Sequence, residues 1–197
     1  MKHYFDQIQD VQSVPVNISC WCESKKLIFQ TDHGVFSYGK VDEASYLLVE
    51  SFPKLEHEKV LDLGCGYGLI GIYLKTKYPD IQLTQIDINE RAVECCKQNA
   101  KDNGIASTIL QSDAFESLAN AVFDVIVLNP PIHAGKEVCE HLYAQSYHHL
   151  NKGGTFAICI RKKHGAESTI AFLTEIGFQV DTVQKEKGIW LIFLKKD

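Results

Sequence analysis

The chain has 197 residues, of which 45% are hydrophobic and 23% charged, and its formal net charge is −5 at pH 7. This is the composition of an ordinary soluble globular protein, and it excludes a strongly basic protein that binds nucleic acid through its overall charge. No apolar run approaches the roughly 18 residues that a membrane span needs, and the first residues lack the apolar core of a signal peptide. We therefore expect a cytoplasmic protein whose seven cysteines stay reduced and serve as small apolar side chains.

The first part of the chain predicts a small β-unit. Residues 16–22 alternate between apolar and polar side chains, and 26–30 carry three adjacent apolar ones, so the two runs and the polar turn between them predict a hairpin. Asp42 is placed to cap a helix that ends before Pro53. We assign residues 1–38 to an N-terminal β extension of a single domain that spans 1–197.

From residue 59 onward, apolar strands alternate with helical segments. The predicted strands are 59–63, 81–86, 107–111, 123–128, 155–160, 178–185 and 189–194. The predicted helices are 69–78, 90–103, 135–150 and 166–176. This order predicts an α/β fold with a seven-stranded, mostly parallel sheet, helices on both faces, and an antiparallel C-terminal strand. Ligands of such sheets bind beyond the carboxyl ends of the strands, so we look for functional motifs there.

A glycine-rich loop follows the first of these strands and opens a helix. Its segment Asp62-Leu63-Gly64-Cys65-Gly66-Tyr67-Gly68 is the Asp-x-Gly-x-Gly-x-Gly pattern that binds S-adenosylmethionine, although 66–71 also matches the dinucleotide fingerprint GxGxxG. Asp62 favours S-adenosylmethionine, because a carboxylate would repel a pyrophosphate but suits an ammonium group and a sulfonium cation. The structural alternative for Asp62 is a helix or turn cap, and nicotinamide-dependent redox chemistry is the alternative for the loop.

Two further carboxylates follow the next two strands. Asp87 ends the second strand, where it can accept hydrogen bonds from both hydroxyls of a ribose. Asp113 follows the third strand, where it can accept the amino group of an adenine. We include their neighbours Ile88 and Ala114 in the predicted cofactor site.

The segment Asn129-Pro130-Pro131 directly follows the fourth strand and is the most specific motif in the chain. Two prolines fix φ and remove two N–H donors, so the backbone is rigid. The oxygen of the Asn129 side chain and the carbonyl of Pro130 can then accept both hydrogens of a planar amino group and aim its lone pair at a methyl donor. No metal ion is needed. The alternative is a loop that simply ends a strand.

These motifs together resemble class I S-adenosylmethionine-dependent methyltransferases of the small methyltransferase domain group. In particular, the sequence resembles the catalytic half of the bacterial small-subunit ribosomal RNA guanine-N2 methyltransferases and their single-domain relatives. The resemblance rests on 34–37 with Val41-Asp42, on the glycine loop, on 87–89 and on 129–136. It implies a Rossmann-like fold, and cofactor contacts at Asp62, Gly64, Gly66, Asp87, Asp113 and Asn129. It also implies that Asn129 and Pro130 bind the target amino group, with Phe36 near the cofactor or the target base.

The sequence departs from that family pattern in two ways. The ribosomal enzymes carry a second, N-terminal methyltransferase-like domain that helps to hold RNA, and these residues contain no match to it. Amino-methylating families usually place Tyr or Phe after Asn-Pro-Pro, whereas this chain has Ile132, which cannot stack on a ring in the same way.

Basic residues near the predicted site indicate an RNA substrate. Arg161 and Lys162 follow the fifth strand at the edge that carries the cofactor loops, and Lys136 follows the Asn-Pro-Pro segment. The proton of the amine can leave to water or to a nearby base such as His133. We expect a monomer or weak dimer that methylates guanine N2, or adenine N6, of ribosomal RNA. The alternatives are methylation of a protein glutamine amide and a non-catalytic, cofactor-binding RNA assembly factor.

Overall fold

The computed structural model describes residues 5–197 and contains two β-sheets within them. The strands are β1 Val16–Cys22, β2 Lys25–Thr31, β3 Lys59–Leu63, β4 Gln82–Asp87, β5 Thr108–Gln111, β6 Phe123–Leu128, β7 Leu150–Arg161, β8 Phe178–Glu186 and β9 Ile189–Lys196. The α-helices are α1 Glu43–Glu50, α2 Leu69–Lys77, α3 Glu90–Asn103, α4 Lys136–His149 and α5 Ala166–Glu175. No helix in the described part of the chain is long and apolar enough to cross a membrane.

Seven of these strands form one sheet in the order β5-β4-β3-β6-β7-β9-β8. The pairs from β5 to β7 are parallel, whereas β9 pairs antiparallel with both β7 and β8. The predicted mixed sheet with its antiparallel C-terminal strand is therefore confirmed. The chain builds outward from β3 to β5 and then returns to place β6 beside β3, so the order reverses next to β3, where ligands of such sheets bind.

The alternation of side chains along the central strands produces a core on each face of the sheet. Val125 and Val127 of β6 pack with the side of α1, α2, α3 and the hairpin, whereas Ile126 and Leu128 pack with the side of α4 and α5. All four are at most 3% exposed. Because successive residues of a strand point to opposite faces, the part of a strand that is covered on both sides is apolar at consecutive positions, as β6 is from Val125 to Leu128.

Strands β1 and β2 form the predicted hairpin as a separate two-stranded sheet. The edge of β2 that does not pair with β1 forms hydrogen bonds with two asparagines of α3. Asn99 and Asn103 each accept from one N–H of β2 and donate to one of its carbonyls, in the way that a neighbouring strand would. These contacts fix the N-terminal residues against the helix that follows β4.

Two details differ from the sequence-based prediction. β7 begins at Leu150 rather than at residue 155, and its register against β6 is irregular between Phe123 and Val125. Gly153 in this stretch has φ +74°, a conformation that favours glycine and accommodates the irregularity. The seven cysteines are all free and buried, as expected for small apolar side chains.

Candidate active site

A cavity of about 370 Å³ lies at the carboxyl ends of the central parallel strands. It collects most of the residues that the motifs predicted, although they come from five separate segments of the sequence. The predicted residues on its wall are Phe36, Gly64, Cys65, Gly66, Asp87, Ile88, Asp113, Ala114, Asn129, Pro130 and Pro131. The position of this cavity is the one expected where the strand order reverses.

The glycine loop leaves open space on the side of the cavity. Gly64 has φ +68° and Gly66 has φ +55°, which are left-handed conformations that other residues rarely adopt. A Cβ added at Gly66 would meet nothing within 4 Å, and one at Gly64 would meet only Leu128, at 3.9 Å. Gly68 differs, since a Cβ there would lie 2.8 Å from the sulfur of Cys96. The first two glycines therefore leave room for a ligand, and Gly68 permits close packing below the loop.

Asp62 lies beneath this loop and does not line the cavity. Asp62 is 1% exposed, and its Oδ2 accepts a hydrogen bond of 2.8 Å from the N–H of Gly71 in the first turn of α2. Its Oδ1 accepts no hydrogen bond from residues 5–197. Burial raises the pKa of Asp62 to about 7. Asp62 therefore satisfies one N–H in the first turn of α2, whose N-cap residue is Gly68, and this is the kind of capping contact that the sequence offered as the alternative to cofactor contact.

Asp87 lies on the cavity wall and fastens the glycine loop to β4. Its Oδ2 accepts from the N–H of Gly66 at 2.7 Å, and its Oδ1 accepts from the N–H of Asn89 at 2.9 Å. Burial is the main cause that raises the pKa of Asp87, to about 6, against the opposing effect of these hydrogen bonds. The carboxylate is thus held at one orientation with lone pairs left for a ligand.

The Asn-Pro-Pro segment forms a rigid turn on the wall of the same cavity. Pro131 has φ −77° and ψ 71°, the angles of an inverse γ-turn, and the N–H of Ile132 donates to the carbonyl of Pro130 at 2.8 Å. The N–H of Ala134 closes a second bond to the carbonyl of Pro131. The Pro130 carbonyl keeps one lone pair for a substrate, because a carbonyl oxygen has two.

Two residues that the motifs did not single out for the site also line the cavity. Asp42 caps α1 as predicted, by accepting from the N–H of Ser45 at 2.8 Å. The Nδ2 of Asn129 donates to Asp42 Oδ2 at 3.1 Å and to Ser45 Oγ at 2.9 Å. Both residues are on the cavity wall. The Asp42 cap was visible in the sequence, but its second role depends on a contact with a residue 87 positions away.

The predicted substrate residues other than Phe36 lie outside this cavity. Ile132 and Lys136 line a second cavity of about 240 Å³ together with His164. The ring of His133 lies 6.2 Å from that of His164 and not on the wall of the larger cavity. His133 therefore does not line the cavity that holds Asn129, where it would have to lie in order to take the amine proton.

The basic residues near the site each face a carboxylate. Lys136 pairs with Glu140 at 3.3 Å, Arg161 with Glu43 at 3.6 Å, and Lys162 with Glu167 at 3.8 Å. All three cations are substantially exposed, so these pairs are weak and open to exchange with other anions.

Comparison with known proteins identifies the family. The sequence model of the methyltransferase small domain matches residues 26–193. The chain belongs to this family. Methyltransferase small domain proteins of similar sequence include the uncharacterized protein YbxB of Bacillus subtilis, which is 42% identical over 99% of this chain and 98% of its own length.

Longer relatives of known function match this methyltransferase over part of their length. Ribosomal RNA small subunit methyltransferase C of Shewanella amazonensis is 37% identical over 70% of this chain and 41% of its own length. Among solved structures, the T. thermophilus 16S rRNA N2 G1207 methyltransferase (RsmC), in complex with AdoMet and guanosine, superposes with a TM-score of 0.83. It is 27% identical, and the match covers 96% of this chain and 52% of that one. The chain thus spans about half the length, or less, of these ribosomal RNA enzymes.

The family and the structural match identify an S-adenosylmethionine-dependent methyltransferase with a class I fold. The residues present fit that cofactor. The open side of Gly66 leaves room for a ligand against the loop backbone, and Asp87 and Asp113 stand on the same wall as hydrogen-bond acceptors. A cavity of this size also lies within the range of small-molecule sites.

Proposed function

We propose that this methyltransferase transfers the methyl group to an exocyclic amino nitrogen of a nucleobase in RNA, with guanine N2 of ribosomal RNA as the favoured target. The observation that carries the proposal is the rigid Asn-Pro-Pro turn on the wall of the cavity that also holds Asp87. Two of the similar proteins reported above are ribosomal RNA methyltransferases, one of which acts at G1207 of 16S rRNA, and this supports the RNA target.

S-adenosylmethionine supplies an electrophilic methyl group on a sulfonium centre when it is bound. We assign Asp87 to the ribose hydroxyls, Asp113 with Ala114 to the adenine, and the backbone of 64–66 to the amino-acid part of the cofactor. Asp62 supports the site from below by holding the first turn of α2. Ile88 and Cys65 complete the wall.

Asn129 and Pro130 bind the nucleophile in this proposal. The amide oxygen of Asn129 and the free lone pair of the Pro130 carbonyl accept the two N–H groups of the target, which turns the nitrogen lone pair toward the methyl group. Holding the two reactants in this geometry is proximity catalysis. Because His133 lies outside the cavity, the proton leaves the amine to water. Phe36, on the cavity wall, takes the stacking role that Ile132 cannot fill.

RNA binding is assigned to the exposed cations beside the cavity. Lys136, Arg161 and Lys162 would exchange their carboxylate partners for phosphates, which positions RNA without reading its sequence. A base in a duplex must be flipped out to reach the cavity. We also propose that the chain forms a single domain, with residues 1–38 as its N-terminal extension. It acts as a monomer or a weak dimer in this proposal.

Transfer of tritium from labelled S-adenosylmethionine tests the function. The acceptor is small-subunit RNA from a strain that lacks the gene, and N2-methylguanosine is identified by mass spectrometry of the nucleosides. We expect Asn129→Ala to reduce transfer at least 100-fold, with the Kd for cofactor changed less than threefold. Asn151→Ala is the matched control, because Asn151 bonds Asp124 at the opposite end of the sheet.

Three outcomes would redirect the proposal. Near-normal transfer by Asn129→Ala would mean that another group holds the target nitrogen. Label in the protein fraction and not in RNA would favour a glutamine amide, a target that needs no aromatic ring at position 132. Full cellular function of Asn129→Ala in the absence of any transfer would favour a non-catalytic assembly factor.

A further inference from the structure

The orientation of the Asn129 amide is decided by the residues behind it. Its Nδ2 lies 3.1 Å from Asp42 Oδ2 and 2.9 Å from Ser45 Oγ. Asp42 Oδ2 already accepts from the N–H of Ser45, and an ionised carboxylate has no hydrogen to donate. The group that faces Asp42 must therefore be the NH₂ of the amide, an assignment that atomic positions alone do not give for asparagine.

This arrangement leaves the other end of the amide for the substrate. Both hydrogens of Nδ2 have acceptors, whereas Oδ1 accepts no hydrogen bond from the residues that the structure describes. Asn129 lies on the cavity wall, so its Oδ1 is the side-chain polar atom that remains available to accept a hydrogen bond from a substrate. A reversed amide would place oxygen against the oxygen of Asp42, which is repulsive.

We propose that Asp42 and Ser45 are positioning residues that hold Asn129 as an acceptor only, and that they thereby restrict the nucleophile to a group that donates a hydrogen bond, as an amino group does. This inference rests on the proposed function, because it concerns the same cavity. A carboxylate or a carbonyl oxygen in the place of the amine would meet Oδ1 as a second acceptor and be rejected. The charge of Asp42 also polarises the amide, which strengthens Oδ1 as an acceptor while positive charge develops on the amine.

The two positioning residues belong to an element that is well anchored. Helix α1 buries Leu47, Leu48 and Val49 in the core below the hairpin. At its first residue, Glu43 faces Arg161 and Lys187, each at 3.6 Å. Groups on a packed helix hold a reacting group more accurately than groups on a free loop.

Substitutions at positions 42 and 129 test the inference through catalysis. Asn129→Asp places two carboxylates in contact, so we expect kcat to fall at least 100-fold. Asp42→Asn alone keeps an oxygen for Ser45 N–H and for Asn129, and asparagine is an equally good helix cap, so the loss should stay within about tenfold. The double variant Asp42→Ser/Asn129→Asp removes the carboxylate at position 42 and retains a helix cap, and the serine hydroxyl can donate to the new carboxylate at position 129, so kcat should exceed that of Asn129→Asp at least tenfold.

The result that overturns the inference is a double variant no more active than Asn129→Asp, because a merely structural Asp42 gives additive losses. All variants should keep the Kd for cofactor within threefold. A loss of cofactor affinity in Asp42→Asn would instead assign Asp42 to the cofactor and refute its role toward Asn129.

A measurement without substrate separates this inference from the proposed function. The side-chain NH₂ resonance of Asn129, assigned by its loss in Asn129→Ala, should exchange with water at least tenfold more slowly than that of exposed Asn120. Asp42→Ser with Ser45→Ala retains a helix cap but removes both acceptors, and it should abolish the protection. Equal exchange of Asn129 and Asn120 in the unaltered protein would refute the positioning role. Protected exchange without RNA methylation would refute only the proposed function.

Discussion

The buried carboxyl group of Asp62 makes the stability of this protein depend on pH. We consider Asp62→Asn, which keeps the size of the side chain and an oxygen for the N–H of Gly71. Only the ability to ionise is lost. Because Asp62 is 1% exposed and one of its oxygens has no hydrogen-bond donor among residues 5–197, ionisation is costly in the folded state and easy in the unfolded chain.

The magnitude follows from the pKa. Burial raises the pKa of Asp62 from 3.8 to about 7, so the folded state retains the proton over a range of about three pH units in which the unfolded chain has lost it. The resulting stabilisation is complete below about pH 4 and is lost as the pH rises through about 7. At about 1.4 kcal/mol for each pH unit, the loss is roughly 4 kcal/mol.

Urea unfolding followed by circular dichroism at pH 4.5, 6 and 8 measures this effect. We expect the free energy of unfolding of Asp62→Asn relative to the unaltered protein to increase by roughly 3 kcal/mol between the lowest and the highest pH, because part of the total loss already occurs below pH 4.5. Parallel pH profiles for the two proteins would refute the reasoning. The Kd for cofactor is the second measurement. A change within threefold fits a residue that holds α2, whereas a tenfold loss would restore the direct cofactor contact that the sequence predicted.

Two further predictions concern Asp87 and the hairpin. Burial raises the pKa of Asp87 to about 6, so calorimetry should show cofactor affinity falling as the pH drops below 6, and Asp87→Asn should bind more weakly at pH 8 with little pH dependence. Constant affinity of the unaltered protein from pH 8 to 5 would contradict the assignment to ribose. Asn99→Ala removes bonds to Gln30 N–H, to its carbonyl and to the carbonyl of Tyr67, at 2.7, 2.9 and 2.8 Å, and should cost about 3 kcal/mol in urea unfolding. Asn103→Ala, at the exposed end of the same edge, is the matched control and should cost less; equal losses would contradict the role of burial.

The sequence alone determined the order of the elements and the place of the site. Strands such as β6 carry a run of consecutive apolar residues, Val125 to Leu128, because both faces are covered there, and this pattern is local to the chain. Parallel strands bring their carboxyl ends to one edge, so the loops after β3, β4, β5 and β6 were expected to meet there. Ten predicted residues from these loops do line one cavity for that reason, and Phe36 joins them from the segment before α1.

The tertiary structure decided which way individual polar groups face. The sequence could not tell whether Asp62 pointed into the cavity or beneath the loop, since that depends on the packing of α2 against β3. It gave no sign that Asp42 contacts Asn129, because the residues are 87 positions apart and their contact follows from where α1 docks on the sheet. In the same way, Arg161 is partnered by Glu43 only after folding. Periodicity and backbone preference act over a few residues, whereas burial and charge pairing depend on residues that meet only in the folded chain.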